Sequence, residues 1–185
     1  VGLRNNIYNQ IPEGYGSIFT DGFADNGYSR NAWDSNGSSV QANTLDATQD
    51  YGYAGYYSGI RICNQIIEQS DKFDKIPADL RTKYKAEARV MRAWLYGNLT
   101  LYFNNVPFVT AVANDYPEGL AQTPASEIRA WVLKELDEAI AILPVTNDNG
   151  CFNKVKAYAI KARMAYFFGN YQQAESAARY VIDNG

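Results

Sequence analysis

The residues able to do chemistry crowd into one stretch, Asp21-Gly22-Phe23-Ala24-Asp25-Asn26-Gly27-Tyr28-Ser29-Arg30-Asn31-Ala32-Trp33-Asp34. It mixes aromatic rings with carboxylates, amides and a guanidinium. A saccharide offers C–H faces that lie on rings and hydroxyls that need donors and acceptors, so a sugar site calls for this mixture. Trp33 suits the ring platform. Asp25, Asn26 and Arg30 suit its hydrogen-bond partners, and Tyr28 or Tyr51 a second ring. Phe23 and Tyr57 read as core. The competing reading is that these rings pin a loop onto a packed core, and composition alone favours it.

Other chemistry is thinner. The chain has no histidine, which removes the commonest general base and the commonest metal ligand. Cys63 and Cys151 alone do not make a zinc site. Cys63, among apolar neighbours, reads as a small buried hydrophobe, and spacing leaves a disulfide between the two open. Asp34-Ser35-Asn36-Gly37-Ser38 alternates oxygen side chains as a calcium loop does. Its glycine falls in the wrong place and Leu45 stands where the closing glutamate belongs, so it reads as loop. Paired carboxylates for glycoside hydrolysis would be Asp21 with Asp25, or Glu135 with Asp137 and Glu138. The second group reads as the solvated face of a helix, and nothing in the first singles out a proton donor. Glu87 reads as a structural ion-pair partner of Arg61 or Arg92. No cofactor and no metal is expected.

These residues need a scaffold, and the rest of the chain reads as helices. The organising stretch runs from Asp79 into Val109. Tyr84, Ala88, Met91, Leu95, Leu99 and Tyr102 recur at steps of three and four, one stripe of a long helix. Lys83, Lys85, Arg89 and Thr100 fall off it. Pro77 and Asp79 suit its start, as a fixed φ and a capping carboxylate, Asn104 and Asn105 suit its end, and Pro107 forbids continuation. Upstream, a helix end before Pro12 leads into loop from Glu13 to Ala42, and a second helix is expected from about Thr44 to Gln69. Gly52, Gly55 and Gly59 within it would weaken it and leave a smooth strip for another backbone. Downstream, Thr123 and Pro124 open a helix striped by Ile128, Val132, Leu136, Ala139, Ile140 and Leu143. A turn at 147–150 follows. A last helix pair spans Lys154–Phe168 (with Tyr158, Ala162, Ala165 and Tyr166) and Tyr171–Asp183 (with Ala174, Ala178 and Val181), broken at Gly169-Asn170. The small residues of this pair resemble a tetratricopeptide repeat, a unit that buries its faces only by stacking.

Length and charge bound the rest. The 185 residues suit one domain. A net charge of −3 makes a poor binder of nucleic acid or anionic membrane. No apolar run reaches a membrane span, and the first residues are no signal peptide, so the chain reads as a fragment or a domain of a longer protein. Tyrosine dominates the aromatics, fifteen against eight Phe and three Trp, which favours rings that are half apolar and half wet.

Lys85-Ala86-Glu87-Ala88-Arg89-Val90-Met91-Arg92-Ala93-Trp94-Leu95-Tyr96, ending in Asn104-Asn105-Val106-Pro107-Phe108-Val109, resembles the signature of the SusD/RagB family. Asn104 stands where that signature has Gly. Tyr57, Ile60, Arg61 and Asn64 continue the likeness, as do Thr123-Pro124 and Glu135-Leu136-Asp137-Glu138-Ala139. The likeness covers roughly residues 44–185. It implies an all-α, tetratricopeptide-like helical repeat core (44–185) capped by an irregular aromatic-rich N-terminal segment (1–43). It further implies non-catalytic binding of an oligo- or polysaccharide at the bacterial cell surface, with loop residues such as Trp33, Asp25, Asn26, Arg30, Tyr28 and Tyr51 in the site. The glycan would pass to a SusC-like TonB-dependent transporter, and a lipid anchor outside this segment would hold the protein to the outer membrane. The alternatives are a helical-repeat scaffold that binds protein and no sugar, and a glycoside hydrolase.

Overall fold

The computed structural model describes residues 2–11, 52–112, 119–148 and 150–185. Among them the helices run in the order α1 (Gly2–Tyr8), α2 (Tyr53–Gln69), a 3-10 turn (Ser70–Lys72), α3 (Ala78–Tyr102), α4 (Ala125–Ile142), α5 (Lys154–Phe167) and α6 (Tyr171–Asn184). Two short strands, β1 (Val106–Pro107) and β2 (Gln122–Thr123), pair antiparallel between α3 and α4. The all-α expectation holds. Residues 12–51, which carry the aromatic-rich run and the expected helix start near Thr44, lie outside the described residues.

The 25-residue α3 is the axis of the packing. Its stripe residues Ala88, Met91, Leu95 and Leu99 are buried, and so are Ala86, Val90, Ala93 and Tyr96 on the flanks. A helix buried on more than one side has neighbours on more than one side, here α2 on one flank and α4 on the other. The expected stripe is therefore too narrow. Thr100, placed off it, is fully buried, with its hydroxyl donating to Gly97 O at 2.9 Å. Tyr102, placed on it, is 58% exposed because the last turn runs past the core. Asn104 stops the helix in the left-handed conformation at φ 60°, the role its short polar side chain suits. Pro77 rather than Asp79 holds the N-cap position.

The sequence expectations for the other helices divide the same way. The α4 stripe of Ile128, Val132, Leu136, Ala139, Ile140 and Leu143 is buried throughout. Thr123 does not cap α4: it pairs with Val106 in the strand ladder, Pro124 is the N-cap, and the Ala125 N–H donates to Asn105 Oδ1 at 3.0 Å. Gly52 stands before α2 with φ 86° rather than inside it. A Cβ at Gly59 would lie 2.8 Å from the Leu95 side chain and 3.0 Å from that of Gln10, so this glycine admits side chains rather than a neighbouring backbone. In the α5–α6 pair Ala157, Ala165, Ala174 and Ala177 are buried, and Gly169 turns the chain at φ 78°. Tyr166, placed on the α5 stripe, is 62% exposed. Met164 fills that role and lies against Gly97 of α3.

Two buried polar clusters fix the helices against each other, and both correct the sequence reading. Glu87 pairs with neither Arg61 nor Arg92. Fully buried, it takes Arg4 Nε at 2.7 Å and Nη2 at 3.0 Å, the Tyr8 hydroxyl at 2.9 Å and Asn147 Nδ2 at 2.9 Å. One carboxylate thus ties α1, α3 and the turn before α5. Arg92 is paired with Glu135, which is buried and not part of a solvated face. The same guanidinium donates through Nη1 to Asn64 Oδ1 at 2.7 Å and to Thr110 O at 3.1 Å. Asp137 and Glu138 are exposed as expected and pair with Lys161 and Arg89.

Cys63 and Cys151 are both buried and no disulfide joins them, which closes that question. Burial pushes the Cys63 thiol up to about 12, against a lowering pull from Arg92.

Two expectations follow from the buried groups. Arg92→Ala leaves the buried Glu135 with only the longer contact to Arg89 at 3.7 Å, strips Asn64 Oδ1 and Thr110 O of their donor, and should cost about 3–5 kcal/mol in denaturant melts. Arg92→Met with Glu135→Leu should recover most of that loss. Burial also raises Cys63, Tyr8, Tyr56 and Tyr57 above their unfolded values. The native state then keeps protons the unfolded chain gives up, so stability is full below the ordinary thiol range. It should fall as pH rises from about 9 upward. A urea midpoint that stays flat to pH 11 would contradict this.

Candidate functional site

The chain leaving α3 is an extended strap, Val106 to Val112, laid across the helices. Its backbone is held by side chains from below. The Tyr57 hydroxyl donates to Pro107 O at 2.7 Å, and Asn64 Nδ2 to Val109 O at 3.2 Å and Ala111 O at 3.4 Å. The Tyr96 hydroxyl donates to Val109 O at 2.9 Å and accepts the Val109 N–H at 2.7 Å. Arg92 holds Thr110 O, and Glu68 accepts the Val112 N–H at 2.8 Å. An extended chain sends alternate residues to opposite sides. Pro107 and Val109 accordingly line one concavity and Phe108 and Thr110 another.

The first concavity is a cleft of about 410 Å³ with mostly apolar walls, bounded by Tyr53, Tyr57, Arg61, Pro107, Val109 and Leu120. The successive turns of α2 place Tyr53, Tyr57 and Arg61 on one face. The Tyr53 ring sits 5.0 Å from that of Tyr57 at 53° and 5.0 Å from Phe103 edge-on at 84°. Arg61 is exposed at the rim. Burial holds the Tyr57 hydroxyl well above the usual phenol range, so it remains a donor. Half-buried rings beside a solvated guanidinium suit a ligand with an apolar face and hydroxyl edges.

The second concavity, about 370 Å³, lies between α3 and α4 and is lined by Arg89, Arg92, Phe108, Trp131, Lys134 and Glu138 among others. The Trp131 ring stands edge-on to Tyr96 and Phe108, with Arg92 over it at 5.2 Å.

The residues picked out for sugar contact, Trp33, Asp25, Asn26, Arg30, Tyr28 and Tyr51, all lie outside the described residues. So do Asp21 and the alternating oxygens of 34–38. Tyr53, Arg61 and Leu120 were not picked out, although Tyr53, Tyr57 and Arg61 at successive four-residue steps carry a visible signal. Tyr57, assigned to the core, is half-buried and does both jobs. Among the described residues no helix is long and apolar enough to cross a membrane.

Comparisons with known proteins agree with this architecture. Residues 3–166 match the family model for SusD-like proteins, described as starch-binding and associating with the outer membrane. Two SusD-like proteins of Formosa agariphila are each 28% identical, over 129 and 135 residues, 69% of this chain in both cases. The chain spans about a quarter of the length of these relatives, 25% and 26%. A SusD-like protein from Bacteroides fragilis superposes with a TM-score of 0.85 at 19% identity, over 98% of this chain and 37% of that one. A laminarin-binding SusD-like protein gives 0.83 at 22% identity, over 97% and 42%. Surface glycan-binding protein A from Bacteroides uniformis gives 0.64 at 26% identity, over 71% and 31%. With a family model matched across most of its length and a helical core folded like theirs, this chain belongs to the SusD-like family.

Proposed function

We propose that the protein binds an oligo- or polysaccharide without altering it covalently. In this reading it acts at the bacterial cell surface, held to the outer membrane by a lipid anchor outside this segment, and delivers the glycan to a SusC-like TonB-dependent transporter. The observation that carries the reading is the pairing of membership in a starch-binding family with an aromatic, partly solvated cleft on the strap. Sugar rings would lie against Tyr53 and Tyr57, with hydroxyls reaching Arg61. The aromatic-rich run would complete the site, with Trp33 as platform, Tyr28 or Tyr51 as second ring, and Asp25, Asn26 and Arg30 as hydrogen-bond partners. Tyr51 stands two residues before Tyr53 in the chain.

No general acid is needed for this work. Among the carboxylates weighed for hydrolysis, Glu135, Asp137 and Glu138 are each engaged by a cation in a structural pair.

Calorimetric titration with maltohexaose and laminarihexaose tests the proposal. Trp33→Ala should abolish binding, and Arg61→Ala should weaken it about tenfold, equivalent to about 1.4 kcal/mol. Both variants should keep the parent melting temperature. Absence of binding by the well-folded parent chain would leave the helices as a protein-interaction scaffold and overturn the proposal.

A further inference from the structure

We propose that the groove between α3 and α4, across the strap from the cleft, is a second saccharide subsite, and that it takes sugars bearing an anionic group. The proposal rests on the carbohydrate-binding reading for the class of ligand, and on the groove itself for the charge. Two rings, Trp131 and Phe108, line it together with charged side chains. That is the mixture a pyranose face and its hydroxyls require, and the volume of about 370 Å³ falls in the range of small-ligand sites.

The charge follows from counting the pairs. Among the described residues that line the groove, Arg89, Arg92 and Lys134 face Glu135 and Glu138, a cation surplus in a chain of net charge −3. Glu135 is held by Arg92 in the buried cluster and lies 3.7 Å from Arg89 Nε as well. Glu138 Oε2 is taken by Arg89 Nη1 at 2.7 Å. Lys134 is left with the far oxygen of the same Glu138, at 3.9 Å, and its side chain is 76% exposed. A pair that long and that wet contributes little. Among the described residues Lys134 is therefore a cation without a dedicated carboxylate, at the edge of a ring-lined groove. A uronate carboxylate or a sulfate ester on a sugar seated against Trp131 would supply the missing negative charge. The strap separates this position from the cleft, since Phe108 and Thr110 face the groove while Pro107 and Val109 face the cleft. The two sites should respond to substitutions independently.

Titration of the chain with tetragalacturonate, a sulfated carrageenan tetrasaccharide and maltotetraose, repeated on Lys134→Glu and Arg61→Ala, tests this. Lys134 is exposed, so its variant should fold, which a thermal melt verifies. Lys134→Glu should weaken the acidic tetrasaccharides on the order of tenfold or more and leave maltotetraose unchanged. Arg61→Ala should do the reverse. Acidic-sugar binding should also weaken as salt is raised. Binding of tetragalacturonate alone would identify a carboxylate as the favoured group, and of the carrageenan alone a sulfate. Failure of both acidic probes to bind, or binding indifferent to Lys134→Glu, overturns the groove proposal even where maltotetraose binds. Failure of the parent chain to bind maltotetraose while it binds the acidic probes counts against the cleft and leaves the groove standing.

Discussion

The structure turns on a guanidinium taken out of water. Arg92 lies in the middle of α3 with its side chain 6% exposed, where an isolated charge would cost several kcal/mol. Three partners from three places in the chain offset that cost: the Glu135 carboxylate from α4, the Asn64 amide from α2 and the Thr110 carbonyl from the strap. Glu135 takes Nη2 while Asn64 and Thr110 share Nη1, so the cluster sets the register of α2 and α4 on α3 as well as their proximity. Its Nε has no acceptor among the described residues, and the Trp131 ring beneath the guanidinium supplies a partial substitute.

The strap depends on that cluster. The seven residues of the strap, 106–112, carry no regular backbone ladder beyond the two-residue pairing of β1 with β2. The carbonyls of Pro107, Val109, Thr110 and Ala111 and the N–H groups of Val109 and Val112 are held instead by Tyr57, Asn64, Glu68, Arg92 and Tyr96. A backbone fixed this way can run over the helices without burying unmet polar groups. It also becomes a wall with a different concavity on each side. The signature residues of the family thereby acquire a physical role here: Asn64, Arg92 and Tyr96 hold the wall, and the residues they position, rather than they themselves, meet the solvent.

Glu87 does for the N-terminal end what Arg92 does for the centre. A seven-residue helix such as α1 is too short to persist alone. Arg4 and Tyr8 anchor it through one buried carboxylate. Arg4 also lies 4.9 Å over the Tyr84 ring, and the Tyr8 hydroxyl accepts the Phe152 N–H at 2.9 Å. The hydrogen bond from Arg4 to Glu87 leads the causes that hold the guanidinium pKa above its ordinary value. Hence α1, separated from α3 by a long stretch of chain, is part of the same packed body.

Much of this was legible in the amino-acid sequence. Helical periodicity marked α3, α4 and the α5–α6 pair, because apolar steps of three and four fold one way only. Gly169 and Asn104 marked their stops, because few residues accept a positive φ. The family likeness was carried by the same local run, Lys85 to Val109. What the sequence could not decide was which charges meet. Glu87, Arg92 and Glu135 look like surface residues on a helical wheel, and pairing across 43 or 83 positions depends on how the helices are laid side by side. The long-range partners of Glu87 therefore came out as Arg4 and Asn147 rather than Arg61. The β1–β2 pairing and the two-sided strap were invisible for the same reason, since two-residue strands carry no period. The cleft was half visible: Tyr53, Tyr57 and Arg61 stood in line on α2, but only the strap and Leu120, brought in by the tertiary fold, turned that line into a concave site.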